Sequence, residues 1–218
     1  MKNEIHKYLV QHEDIYGTDL YIENIHLKDV FSNQNKKKLN DYFNAIKDCL
    51  ECSLGHTRTN FVFGIGNPES DIVFIGEAPG KQEDLEGTPF VGKSGKLLDK
   101  ILAAIGLKRN DIYILNIVKC RPPNNRNPLN EEIEKCAKYL KNQLEIIKPK
   151  LIVSLGRVAS KTLLKSEESL SNMRKKIHKY SGIDLIVTYH PAALLRDSNL
   201  KKDAWEDFKV IRNGYING

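Results

Sequence analysis

The apolar run Ile72-Val73-Phe74-Ile75, closed by Gly76, is continuous rather than alternating, as expected of a strand covered on both faces. Residues 94–105 change period. Leu97, Leu98, Ile101, Leu102 and Ile105 recur at helical spacing, and Gly106 supplies a stop. A second strand is predicted over 111–118, on Ile112, Tyr113, Ile114 and Leu115. Residues 130–147 read as a long amphipathic helix, with Glu131 and Glu132 in its first turn and Pro149 just past its end. A third strand over 151–155, a short helix over 156–165, a fourth strand over 185–188 and a last helix over 199–211 follow. Residues 1–48 read as mostly helical and polar, and their Lys36-Lys37-Lys38 run as a solvated face.

Strands and helices that alternate in this way, with unbroken apolar strands, predict an α/β fold. Three layers, α/β/α, enclose a central four-stranded parallel sheet. The 218 residues, 40% of them hydrophobic, suffice for one sizeable core. The expected organisation is a helical N-terminal arm (1–48) and a single domain (49–218). No apolar run approaches a membrane span, and the first residues lack the apolar stretch of a secretory signal, so a cytoplasmic protein is expected; a monomer is the expected state. The net charge of +6 and pI of about 9.0 suit a partner that carries phosphates.

Ligands of such sheets bind where the strand ends meet. Four segments should converge there. They are the loop 76–92, Asn116 with the segment Lys119-Cys120-Arg121-Pro122-Pro123-Asn124-Asn125-Arg126, the turn at Gly156, and Tyr189-His190-Pro191 with the residues after it. The carboxylates, carboxamide, imidazole, phenyl ring and guanidinium groups there suit a small planar polar ligand on an anionic backbone. Gly87-Thr88-Pro89-Phe90-Val91-Gly92-Lys93-Ser94 also satisfies the phosphate-loop pattern. It starts well beyond the end of its strand, however, and Pro89 removes an amide the cradle needs. The four cysteines are Cys49 and Cys52, spaced Cys-x-x-Cys, and Cys120 and Cys136 far downstream. In a reducing compartment they read as one four-ligand site, and thiolates alone leave zinc and an iron–sulfur cluster both open.

Taken in order, Gly76-Glu77-Ala78-Pro79-Gly80, Glu83-Asp84, Pro89-Phe90-Val91-Gly92, Asn116 with Lys119-Cys120-Arg121-Pro122-Pro123, and His190-Pro191-Ala192-Ala193 resemble the family 4 uracil-DNA glycosylases. The likeness runs from about Cys49 to the C-terminus and includes Thr57-Arg58-Thr59-Asn60. The resemblance implies an enzyme that flips uracil out of DNA, hydrolyses its N-glycosidic bond and leaves an abasic site. It implies a [4Fe-4S] cluster on Cys49, Cys52, Cys120 and Cys136, with a structural role. Phe90 would stack on the base, Asn116 would read its edge, and His190 would stabilise the leaving anion. With Ala78 at the position where the related family 1 enzymes carry Asp, Glu77 becomes the first candidate to orient water, while Glu83 would shape the pocket against the 5-methyl of thymine. Leu194 or Leu195 would wedge into the duplex, and Arg121, Arg126, Arg157 and Arg196 would bind phosphates, as would the amides that open the helix after Gly92. Arg174-Lys175-Lys176-Ile177-His178 departs from the family pattern and resembles the loop of the family X glycosylases, but its position argues against covalent trapping through His178. Residues 1–48 are the segment that would dock a replication clamp or repair partner. The alternative function is a non-catalytic iron–sulfur DNA-binding or redox-sensing module on the same fold.

Overall fold

The computed structural model describes residues 27–216, with side chains from residue 34 onward. The expected helical arm therefore lies outside the described residues as far as residue 26. One compact unit, Asn35–Gly218, contains the sheet, both cores and the cleft.

Helix α1 (Leu27–Ile46) brings Leu39, Tyr42, Phe43 and Ile46 to one face by their helical spacing. Tyr42 and Phe43 meet Phe63 edge-on, at 6.1 and 5.4 Å between centroids. The sheet then builds from β1 (Ile65–Gly66), β2 (Ile72–Gly76), β3 (Tyr113–Asn116), β4 (Leu151–Leu155), β5 (His178–Tyr180) and β6 (Ile183–Thr188). Its order is β1-β3-β2-β4-β6-β5. The four central strands are parallel, as the apolar runs predict, and an antiparallel strand closes each edge. These two short edge strands carry no continuous apolar signal and are held by their neighbours.

Side chains alternate between two separate cores. Val73, Ile75, Leu115, Ile152 and Val187 enter one, with Cys120, Cys136 and the apolar face of α4 (Asn130–Ile147). Ile72, Phe74, Ile114, Val153 and Ile186 enter the other, with α3 (Lys93–Ala104) and α8 (Leu200–Ile211). Phe74 and Phe208 stack there at 6.3 Å. Burial on both faces explains why the strand sequences read as unbroken apolar runs.

Three short helices decorate the C-terminal strand ends: α2 (Lys81–Glu86), α5 (Arg157–Leu164) and α7 (Pro191–Arg196). A one-turn helix, α6 (Leu170–Met173), precedes β5. Register sets Gly76 opposite Asn116 and Leu155 opposite Thr188, so the residues following all four parallel strands open onto one edge. No described helix is long and apolar enough to cross a membrane.

Candidate active site

A cleft of about 570 Å³ lies on that edge. Glu77, Glu83, Phe90, Asn116, Arg126, His190 and Arg196 from the sequence reading all line it. Leu155, Gly156, Arg157 and Leu170 complete the wall from the far side of the sheet.

Gly76, the last residue of β2, lies against two of the lining side chains. A Cβ built there would stand 2.5 Å from Asn116 Oδ1 and 2.7 Å from the Phe90 ring. The carboxamide and the ring thus meet over a residue that must lack a side chain. Asn116 is 2% exposed, and its Oδ1 has no hydrogen-bond partner among the described residues. A buried, unsatisfied acceptor is costly unless a ligand completes it.

Phe90 belongs both to the second core and to the cleft wall. Its φ of 55° places a bulky residue in the left-handed region, a strained conformation that needs outside support. Glu83 supplies part of it, accepting from the amides of Val91 at 3.0 Å and Gly92 at 2.9 Å. Arg109 supplies the rest, with Nη1 donating to the Pro89 carbonyl at 3.2 Å and Nη2 to the Phe90 carbonyl. Gly95 makes room, since a Cβ there would collide with the Phe90 carbonyl. Arg109 and Gly95 carry no motif signal and were invisible in the sequence.

The same bonds dispose of the phosphate-loop pattern. Helix α2 intervenes between β2 and the motif, and the amides of Val91 and Gly92 already hold the Glu83 carboxylate. The expectation that amides at the start of α3 take a DNA phosphate is corrected for those two on the same ground. Asp84 is a buried brace, accepting from the amides of Thr59 and Asn60 at 2.9 and 3.3 Å.

His190 caps α7. Its Nδ1 accepts from the Ala192 amide at 3.1 Å, which leaves the proton of the neutral ring on Nε2. Burial and then the Arg196 charge lower its pKa to about 4, with Glu83 pulling weakly the other way. The ring packs 5.4 Å from that of Phe90, tilted by 31°. The cleft therefore presents a neutral imidazole beside the phenyl ring and the carboxamide. Glu77 is half-buried in the same wall. Burial raises its pKa, against the nearby Arg157 guanidinium, and its carboxylate has no hydrogen-bond partner among the described residues.

The rim separates residues the sequence grouped together. Arg157 and Arg196 are exposed on the cleft edge. Arg121 lies outside the cleft lining and donates through Nε to Asn125 Oδ1 at 2.7 Å. Arg126 is engaged within the protein. It grips Glu132 with both terminal nitrogens, at 2.9 and 2.6 Å, and holds that buried carboxyl down at about 2. It thereby braces the loop before α4 while still lining the cleft. Leu194, on the buried face of α7, is only 2% exposed, whereas Leu195 is 52% exposed. His178 binds the Met173 carbonyl at 2.7 Å and does not line the cleft.

Behind the cleft, the four cysteines share one region. Cys120 feels the thiols of Cys52 and Cys49, and Cys136 those of Cys120 and Cys52. Several donors point at sulfur: Arg58 Nη1 to Cys120 at 3.2 Å, the Tyr139 hydroxyl and the Glu51 amide to Cys49 at 2.9 and 3.5 Å, and the Lys119 amide to Cys136. Among the described residues, no three Cys, His, Asp or Glu side chains converge tightly enough for a single ion.

The profile of the Uracil DNA glycosylase superfamily matches residues 63–209. The chain is 46% identical to the type-4 uracil-DNA glycosylase of Archaeoglobus fulgidus, over 80% of this chain and 92% of the relative. It is 44% identical to the type-4 enzyme of Thermotoga maritima, over 77% and 90%. A type-5 uracil-DNA glycosylase of Pyrobaculum aerophilum is 30% identical over 59% and 64%.

Proposed function

Because the chain belongs to the type-4 uracil-DNA glycosylases, we propose that the cleft takes a uracil extruded from DNA and that Phe90, Asn116 and His190 carry its recognition and release. The enzyme hydrolyses the N-glycosidic bond of deoxyuridine in DNA and leaves an abasic site. The observation that carries the assignment is the unpartnered Asn116 Oδ1, buried against the Phe90 ring at Gly76. A uracil sliding along that ring donates its N3–H to this oxygen and accepts at O4 from the carboxamide nitrogen. Cytosine has no N3–H to offer and presents a donor where uracil presents O4.

A base must leave the stack before it reaches such a cleft. As the C1′–N1 bond breaks, its electron pair passes to the base and negative charge gathers on O2. The Nε2–H of His190 donates to that oxygen, in a dry site where such a bond is worth most. A neutral ring suits this task, since it needs no proton from solvent and none is transferred. Glu77 orients the water that attacks C1′ and faces the positive character developing on the sugar. Glu83 acts through the loop it fixes, which closes the pocket on the side where thymine carries its methyl group.

Arg157 and Arg196 on the rim suit phosphates, and the exposed Leu195 would fill the gap left by the flipped base. Cys49, Cys52, Cys120 and Cys136 would hold the [4Fe-4S] cluster. The donor set fits: four thiols share one region, and three of them accept hydrogen bonds. Bound there, the cluster would brace the segment before β1 against the loop after β3. A non-catalytic module would have no use for an unpartnered carboxamide and a neutral imidazole in one hollow.

The test is an oligonucleotide with one deoxyuridine, followed by alkali. Strand breaks at that position and free uracil in the supernatant are expected, and Asn116→Asp should abolish both. Equal cleavage at thymine, or none at uracil, overturns the reading.

A further inference from the structure

Lys119 is the only lysine or arginine buried among the described residues, and it is 0% exposed. The buried carboxylates Asp84, Glu132 and Asp207 are satisfied by amides or by arginines. Lys119 has no carboxylate against it. Its Nζ donates to the backbone carbonyl of Asn116 at 2.9 Å. In sequence it stands immediately before Cys120, one of the four thiols. Its backbone is pinned as well: its amide lies against the Cys136 thiol, and its carbonyl accepts from the Val62 amide at 2.8 Å. An ammonium in such a place is tolerable only if anionic or hydrogen-bonding groups surround it. Thiolates that ligate a cluster meet that need, and the one oxygen the ammonium holds belongs to the residue at the end of β3 whose side chain faces the base.

We infer that Lys119 is a positioning residue that couples the four-cysteine site to base recognition: with its backbone anchored between Cys120 and Cys136, its ammonium holds the Asn116 peptide and so aims the Asn116 carboxamide. This rests on the reading of Asn116 as the uracil reader and of the cysteines as cluster ligands. Lys119 touches neither base nor sugar. Its effect is on where the carboxamide stands, and a misplacement of about 1 Å in such a group can cost roughly a hundredfold in rate.

The experiment compares the parent with Lys119→Met and Lys119→Arg. Each is assayed for iron content, melting temperature, affinity for free uracil, affinity for abasic DNA, and kcat and KM on a deoxyuridine oligonucleotide. Lys119→Met is expected to keep its iron and its abasic-DNA affinity, because phosphate contacts are untouched, while uracil affinity and kcat each fall about tenfold to a hundredfold. Lys119→Arg, which retains the cation, should recover part of the loss. A merely structural role would lower iron content, melting temperature and DNA affinity together. If Lys119→Met does not retain iron, Lys119→Gln decides by the same measurements. Uracil affinity within twofold of the parent in a folded, iron-loaded variant overturns the inference, as does failure of every variant to fold with iron. A parent that releases no uracil sinks the base-recognition reading itself, whereas an active parent with an unaltered Lys119→Met sinks only the coupling.

Discussion

His190 has two separable jobs, and replacing it should damage each by a different amount. Nδ1 caps α7 through the Ala192 amide, and that bond keeps the proton on Nε2, where the departing uracil needs a donor. His190→Ala removes both. Loss of a side-chain cap costs about 1 kcal/mol of stability. Loss of one donor to a developing oxyanion costs roughly 2.7–4 kcal/mol in the transition state, about a hundredfold to a thousandfold in rate. His190→Asn separates the two, since asparagine is a good cap but its shorter amide cannot place a donor where Nε2 stood. Urea denaturation should show His190→Ala destabilised and His190→Asn close to the parent. Single-turnover uracil release, with enzyme in excess, should show both variants slow. The assignment of the donor fails if His190→Asn releases uracil within about tenfold of the parent rate, the lower bound of the donor effect having been set well above that.

The pH dependence should carry the same signature. His190 is held at about 4 in the folded protein against an ordinary 6.5, so between those values the unfolded chain takes a proton that the folded one refuses. This contribution to stability is complete above pH 6.5 and is lost as pH falls to 4; a pH series of melting temperatures measures it. The rate of uracil release should show no step at 6.5 from this ring. Glu83→Gln should weaken the two amide bonds that support Phe90, by about 1–2 kcal/mol for loss of the charge, and should raise hydrogen exchange at Val91 and Gly92 specifically; unchanged exchange there would count against the brace. Arg157→Ala and Arg196→Ala should each lower the salt slope of DNA binding by about one. Arg126→Ala should instead lower thermal stability, because it strands the buried Glu132 carboxylate; a slope change without destabilisation would assign Arg126 to the phosphates. Leu195→Ala should slow release from duplex more than from single-stranded DNA, because only a duplex has a vacated stack to fill.

The chain's own pattern determined the parallel core of the sheet, the long helix over Asn130–Ile147 and the segments that meet at the strand ends. Those features follow from period and continuity, which every strand buried on two faces must display. The chain's resemblance to a known family named Phe90, Asn116 and His190 as candidate site residues, and all three line the cleft. Folding decided everything that depends on which groups end up adjacent. Leu194 and Leu195 are chemically identical, and only the rotation of α7 buries one and exposes the other. Arg126 has Glu132 within reach and Arg157 stands exposed, a difference no local pattern announces. Arg109 supports the Phe90 turn from a distant segment, and Lys119 is buried because the chain after β3 folds back between Asn116 and the cysteines. Periodicity reports how a residue sits within its own element, whereas a hydrogen bond or an ion pair between distant segments is a property of the assembled layers.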